Sequence, residues 1–298
     1  MTQFDHAVPS LGDPSFRHGF ETIDGLRLHH VTAGPEDAEP LVLLAGYPES
    51  WFAWRKVMPI LAGRFRLIAV DLPGQGDSDK PLDGYDTGTV ARRVHALLGR
   101  LGLARYGLAA HDVGAWVGLP YALMFPGEVS RLAILDAGIP GITLPDMLPT
   151  APDRAWRTWH FAFHALADLP EALIAGRERV YLDWFLRRKA ADPSSFSEAD
   201  LDEYVRIFTR PGALRAGLAF YRSVGLSAEQ NRALVRDARL AMPVLAVSAD
   251  QGSIPDMAGP LRPFADDLRG ETIAPSGHFI PEEQPEALAA LLADFFAA

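Results

Sequence analysis

Cysteine is absent from this 298-residue sequence, and that gap removes disulfide staples, thiolate metal sites and cysteine nucleophiles together. Positive charge is scarce as well: 28 Lys and Arg stand against 38 Asp and Glu, a formal net charge of -10. Nucleic acid and anionic membrane are met by clustered basic residues, so neither fits as a partner. A small, neutral, apolar molecule suits this surface better. No uninterrupted apolar stretch approaches the roughly 18 residues of a membrane-spanning helix. Met1–Pro14 carries Asp5, Pro9 and Asp13 and neither a basic leader nor an apolar run, so no signal peptide is read and a cytoplasmic protein is expected. Internal repeats and low-complexity linkers are missing too.

What is present is apolar residues in a definite rhythm. They make up 48% of the chain, enough for a substantial core. Short runs (Leu41–Leu44, Leu67–Val70, Tyr106–Ala109, Leu132–Leu135 and Val244–Val247) alternate with longer helix-like segments. That alternation predicts an α/β fold with a mostly parallel sheet flanked by helices. Phe20–Ile23 and Leu26–Val31 flank Asp24-Gly25, which predicts an antiparallel hairpin at the start. Between Asp136 and Met242 the pattern turns helical without a convincing buried strand. The expected organisation is a core of residues 1–136 and 243–298 with an inserted helical cap, 137–242. Ser197 with Asp200 predicts a capping box there, and Pro211 is placed in a first helical turn. A last helix is expected over Pro285–Phe296.

The chemistry concentrates where an apolar strand runs into a helix through Ala110-His-Asp-Val-Gly114. Such a small-x-acid-x-small elbow lifts its central side chain above the sheet, and the small neighbours let the backbone pass closely. Asp112 holds the position a serine hydrolase gives to Ser. A carboxylate with a reference pKa near 4 is already ionised at neutral pH and attacks a saturated carbon without a base. The alkyl ester so formed must then be hydrolysed by water, and that step needs a base. A helix N-cap aspartate is the plain alternative for Asp112.

His278 stands in a loop before the last helix, in the nucleophile, acid, histidine chain order of a strand-turn-helix hydrolase. Two aspartates end predicted strands and are candidates to orient it: Asp136 after Leu132–Leu135, and Asp250 after Val244–Val247. Either is also an ordinary turn residue. Two backbone N–H groups should face the ester oxyanion; Val113 follows the nucleophile, and Tyr47 lies in the loop after Leu41–Ala45.

These residues resemble the aspartate-nucleophile branch of the α/β hydrolases, which includes epoxide hydrolases, haloalkane dehalogenases and haloacetate dehalogenases. The resemblance spans nearly the whole chain. It is carried by Gly46-Tyr-Pro-Glu-Ser-Trp-Phe-Ala-Trp54, Asp71-Leu-Pro-Gly-Gln-Gly-Asp-Ser78, the elbow and Ser276-Gly-His-Phe-Ile-Pro-Glu-Glu283. Within the branch the chain is most similar to the Cif-type epoxide hydrolases, through Trp159-His-Phe-Ala-Phe163 and Phe220-Tyr-Arg222. The resemblance implies the α/β-hydrolase fold and favours Asp136 over Asp250 as the triad acid. One departure stands out: the family usually has His before the first glycine of the oxyanion loop, where this chain has Ala45. That leaves the loop without its usual side-chain support.

The leaving group separates the chemistries. Opening an epoxide creates an alkoxide, which needs acidic donors opposite the nucleophile, whereas a halide leaves as a stable anion. Haloalkane dehalogenases place a halide-holding Trp where Val113 stands and an Asn where Tyr47 stands. Haloacetate dehalogenases clamp the substrate carboxylate with two Arg, at positions held here by Val113 and Trp116, and follow their cap His with Trp where Phe161 stands. His160 and Tyr221 resemble the donor pair of the Cif type, and Phe161 is expected to touch substrate. Trp51, Trp54 and Phe163 are expected in the core. The resulting expectation is hydrolysis of a small apolar epoxide, with water, to a vicinal diol. Neither a metal nor an organic cofactor is implied, and the family is compatible with a homodimer. The alternatives are a haloacid or haloalkane dehalogenase on the same triad, and a non-enzymatic binding module, the latter prompted by Ala45.

Overall fold

The computed structural model describes residues 15–145 and 151–297; the expectation for Met1–Pro14 falls outside them. Eight strands form one sheet: β1 (Arg17–Ile23), β2 (Leu26–Ala33), β3 (Glu39–Leu44), β4 (Phe65–Val70), β5 (Tyr106–His111), β6 (Val129–Leu135), β7 (Val244–Ala249) and β8 (Leu268–Ile273). Across the sheet they run β1-β2-β4-β3-β5-β6-β7-β8. The pairs β1/β2 and β2/β4 are antiparallel and the rest parallel. The opening hairpin turns on Asp24 and Gly25, both at positive φ (50° and 79°), as a tight turn matched to strand twist requires. In the middle of the sheet β5 is buried at every residue, which is why it reads as an unbroken apolar run.

The helices are α1 (Met58–Leu61), α2 (Thr87–Arg100), α3 (Val113–Met124), α4 (Pro152–Ala165), α5 (Leu169–Ile174), α6 (Glu178–Lys189), α7 (Glu198–Phe208), α8 (Ala213–Arg222), α9 (Val224–Asp237), α10 (Ile280–Glu283) and α11 (Pro285–Ala297). Six of them, α4 to α9, lie between β6 and β7, where the sequence loses its strand rhythm. The α7 capping box forms as expected: Asp200 N–H donates to Ser197 Oγ (3.2 Å) and Ser197 N–H to Asp200 Oδ2 (2.9 Å). Pro211 is not in a first turn. Gly212, at φ 82°, caps α8 and the helix begins at Ala213, because the chain must first swing through the left-handed region that glycine tolerates.

The helical segment is tied to the strand-bearing part by a buried cation. Arg55 is fully buried and ion-paired with Asp200 of α7 and Glu282 of α10. Tyr204 Oη of α7 donates to the same Glu282 (2.5 Å). Removing one partner of such a buried network leaves the other charge uncompensated, at about 3–5 kcal/mol, so the arrangement fixes where the helices sit. Trp51 and Trp54 are buried in the core; Phe163 is partly buried against Trp159.

Candidate active site

Asp112 is the single residue between β5 and α3, at φ 50° and ψ -121°. A non-glycine residue there is strained by roughly 1–3 kcal/mol and persists only where its surroundings enforce it. The enforcement is visible: Asp112 N–H donates to Leu135 O (3.3 Å), and its carbonyl accepts from Ala115 and Trp116 (2.9 and 3.2 Å). Close approach on two sides demands the glycines. A Cβ on Gly114 would lie 2.5 Å from Leu44 O, and one on Gly46 would lie 2.3 Å from Asp112 Cβ. The side chain makes no capping bond to α3, so the N-cap alternative fails.

The carboxylate instead faces two groups. Oδ1 accepts from Tyr47 N–H (2.8 Å), and Oδ2 lies 3.3 Å from His278 Nε2, too poorly aligned for a hydrogen bond. Val113 opens α3, and its N–H belongs to the first turn, which a helix leaves without intrahelical acceptors. His278 Nδ1 meets Asp136 Oδ2 at 2.7 Å. Asp136 also sits at positive φ (38°), just after β6, and accepts from Ser253 N–H (2.8 Å) and Ile254 N–H (2.9 Å). Asp250 is exposed and does not touch the imidazole; its Oδ1 accepts from Ser276 N–H (2.8 Å) and steadies the histidine loop. Of the two candidate acids, the structure brings Asp136 to His278.

Burial works against both charges of the Asp112–His278 pair and is outweighed. For Asp112 the adjacent His278, through its ring N–H and then its charge, and after it the charges of His111 and Lys189, hold the carboxyl well below its ordinary range. For His278, burial and the Lys189 charge push down, but Asp112 and Asp136 together raise it to about 9. The resting pair is therefore carboxylate and imidazolium at neutral pH.

The side-chain support of the oxyanion loop, which Ala45 leaves open in the sequence, comes from other residues. Gly46 O accepts from Gln75 Nε2 (3.0 Å), and Gly46 N–H donates to Glu49 Oε2 (3.3 Å). The same Glu49 oxygen meets His111 Nδ1 (2.9 Å), whose Nε2 reaches His278 O (2.8 Å). Ala45 is thus compensated by a buried chain running from the loop to the histidine. Neither Glu49 nor His111 signals this locally, because the link joins residues 62 apart in sequence.

A cavity of about 630 Å³ opens onto Asp112 and His278, with Trp116, His160, Phe161 and Lys189 among its walls. Tyr221 does not line it. Tyr221 borders an adjoining cavity of about 440 Å³ that shares Phe161, with its ring 5.6 Å from that of His160 and 5.4 Å from that of Trp116. Burial, then the charge of Asp112, pushes Tyr221 well above its ordinary range; burial, then Lys189, drives His160 well below its own. His160 is neutral, and its Nδ1 has no hydrogen-bond partner among the described residues. Two residues in this region escape the sequence reading. His164 continues a chain through Tyr181 Oη (2.7 Å) to Tyr47 Oη (3.1 Å). Lys189, at the end of α6, is 4% exposed and faces the cavity; in sequence it closes an Arg-Arg-Lys run that reads as a solvated face.

A metal has no ready place among the described residues. His29, Asp71 and Asp77 converge closely enough for one. However, Asp71 already accepts from Trp51 N–H (2.7 Å) and Asp77 N–H (2.9 Å) and meets His29 Nδ1 (2.7 Å), while Asp77 is ion-paired with Arg206 and Arg210. Those groups are already engaged in holding the Asp71 turn.

Strand order, elbow and triad geometry define a hydrolase class, and comparison with known proteins agrees. Residues 39–285 match the alpha/beta hydrolase fold family, and the chain belongs to it. It is 38% identical to a soluble epoxide hydrolase of Corynebacterium sp. (strain C12), over 94% of this chain and 97% of that one. The structure of Cfl2 from Burkholderia cenocepacia superposes with a TM-score of 0.94 at 68% identity, covering 95% of this chain and 96% of the other. That of the epoxide hydrolase CorEH gives 0.87 at 36% identity, covering 95% and 99%.

Proposed function

We propose that this chain is an epoxide hydrolase of the Cif-like kind, converting a small epoxide to a vicinal diol through an alkyl ester on Asp112. The observation that carries the reading is an ionised, strained carboxylate facing a cavity whose opposite wall presents His160, beside Tyr221, with polar capacity unused. Asp112 attacks a ring carbon while His160 and Tyr221 hydrogen-bond the ring oxygen, and Phe161 packs against the substrate. Once Asp112 is esterified its charge is gone, so the attraction that held the proton on His278 weakens. His278, oriented by Asp136, then activates water against the ester, and the N–H groups of Tyr47 and Val113 stabilise the oxyanion.

Residues 137–242 serve in this reading as a cap on a core of 1–136 and 243–298. The support is the division of labour at the cavity: α4 and α6 bring His160, Phe161 and Lys189, while the loops after β5, β6 and β8 bring Asp112, Asp136 and His278. No described helix is long and apolar enough to cross a membrane. A cytoplasmic location and a homodimer are expectations of the same reading, checked by cell fractionation and light scattering. Dehalogenation is the weaker reading, since the clamp positions hold Val113 and Trp116 in place of Arg.

A panel of small epoxides with product analysis tests the function. Diol formation from at least one epoxide, lost in Asp112→Ser, is the expected result; halide release from haloacids or haloalkanes with no diol from any epoxide would replace it.

A further inference from the structure

Tyr47 belongs to a loop of the strand-bearing part, yet its ring is seated among the helices. Its backbone N–H donates to Asp112 Oδ1 (2.8 Å). Its ring meets His164 of α4, Phe185 of α6, Phe208 of α7 and Tyr221 of α8 edge-on, with centroids 5.0, 5.6, 6.1 and 5.4 Å away. Edge-to-face contact on several sides gives a ring a specific place as well as burial. α8 closes on it without a gap, since a Cβ on Gly217 would lie 2.7 Å from Tyr47 Cε2.

The hydroxyl ties this seat to two helices. Tyr47 Oη lies 3.1 Å from Tyr181 Oη, and Tyr181 Oη lies 2.7 Å from His164 Nε2. Burial keeps all three neutral: it raises both phenols above their ordinary range and lowers His164 to about 3. Both hydroxyl protons then find acceptors when Tyr47 donates to Tyr181 and Tyr181 donates to the bare Nε2 of His164. The opposite direction leaves the Tyr47 proton without an acceptor among the described residues. Neither Tyr181 nor His164 is among the residues lining the two cavities, so the chain has no contact with substrate and can act only through Tyr47.

We propose that Tyr181 is a positioning residue that, through Tyr47, sets the oxyanion N–H against Asp112, and that it serves hydrolysis of the ester and not its formation. The proposal rests on the covalent-ester reading. Asp112 attacks through Oδ2, the oxygen that Tyr47 does not hold, and the ring carbon–oxygen bond breaks with its electron pair on the ring oxygen. Oδ1 becomes the carbonyl oxygen of the ester. Water, losing a proton to neutral His278, adds to the carboxyl carbon, and the carbonyl electron pair moves onto Oδ1. Its return breaks the bond from that carbon to Oδ2, and the alcohol leaves with Oδ2 and the proton from His278. The proton left on the new carboxyl passes to His278, restoring carboxylate and imidazolium. Negative charge therefore builds on the oxygen held by Tyr47 only in the second step, while in the first it drains away, and an interaction speeds only the step in which it strengthens. Displacing the Tyr47 ring moves the Cα beside that N–H, so a seat shared by four helices becomes a condition of oxyanion binding.

The test uses single turnovers with excess enzyme, on an epoxide that the wild-type chain converts, in an Asp136→Asn background whose weakened base leaves the ester standing long enough to follow by intact mass. The rise of the adduct reports ester formation and its decay reports hydrolysis. Tyr181→Phe and Tyr47→Phe each keep a ring and lose one link. Either should slow the decay by roughly tenfold while the rise stays within about twofold of the background, since a misplaced donor is felt only where charge develops on Oδ1. The double variant should decay no more slowly than the singles, because one broken link already opens the chain. Background-like decay in Tyr181→Phe would overturn the proposal, and so would equal slowing of rise and decay, the mark of a displaced set of helices; neither result touches the ester reading. No adduct in the background itself would overturn the ester reading and this proposal with it.

Discussion

The two walls of the cavity are built on opposite principles. On the strand-bearing side the polar groups around Asp112, His278 Nε2 apart, are already committed to one another, Tyr47 N–H to Oδ1, Asp136 to His278, and Ser253 and Ile254 to Asp136. On the helical side the polar atoms are held in reserve. His160 Nδ1 and His164 Nδ1 have no partner among the described residues, and Lys189 leans on an aromatic ring. Preorganised groups stabilise charge without reorganising during reaction, while unpartnered ones gain a partner only when substrate arrives. In the proposed mechanism the first wall makes and breaks the ester and the second handles the leaving oxygen.

The contrast breaks most visibly at Asp112, the proposed nucleophile. Asp112→Ala should lower diol formation by on the order of 10⁴ or more in steady-state assays, because the covalent route then has no first step; a loss of tenfold or less would mean that the strained carboxylate is incidental. Next come the two aspartates. Asp136→Asn should cost on the order of 10²–10⁴ in kcat, since the imidazolium loses its charge partner, whereas Asp250→Asn should cost less than about tenfold. Comparable losses in both would erase the distinction between a triad acid and a loop support.

On the opposite wall, His160→Phe or Tyr221→Phe should each lower epoxide turnover by about 10–10²-fold, in kcat rather than KM, because their bonds strengthen as charge develops on oxygen. An effect confined to KM would make them packing residues. A further effect is on stability and not on turnover. His278 is raised from 6.5 to about 9 in the folded chain. Its favourable contribution is therefore complete below about pH 6.5 and disappears as pH climbs through about 9. Denaturant titrations should show the stability difference between wild type and His278→Gln shrinking by roughly 3 kcal/mol over that interval. A difference that grew with pH would contradict the charge pairing.

What is legible in the sequence follows the same division. The central strands, the hairpin at Asp24-Gly25, the elbow and the Ser197–Asp200 box are local patterns whose chemistry is complete within a few residues, and they stand where expected. β8 is visible in sequence only at its end, around Thr272, because an edge strand in which Ile273 alone is buried carries no apolar run. The choice between Asp136 and Asp250 is not local at all. Both follow a buried strand, and what separates them is that the Asp136 side chain turns toward the histidine loop while Asp250 bonds Ser276. Lys189 is hidden for the opposite reason: Arg187 and Arg188 beside it make ordinary surface contacts, and only the docking of α6 against the His278 loop makes the third cation internal.

A single turnover with excess enzyme in ¹⁸O-labelled water tests the central claim most directly. If Asp112 forms an ester and water attacks its carbonyl carbon, the first diol released carries no label, and peptide mass analysis finds the heavy oxygen in the Asp112 carboxylate. Label in the diol of that first turnover, with Asp112 unlabelled, would mean that water attacks the epoxide itself and that the aspartate never bonds to carbon.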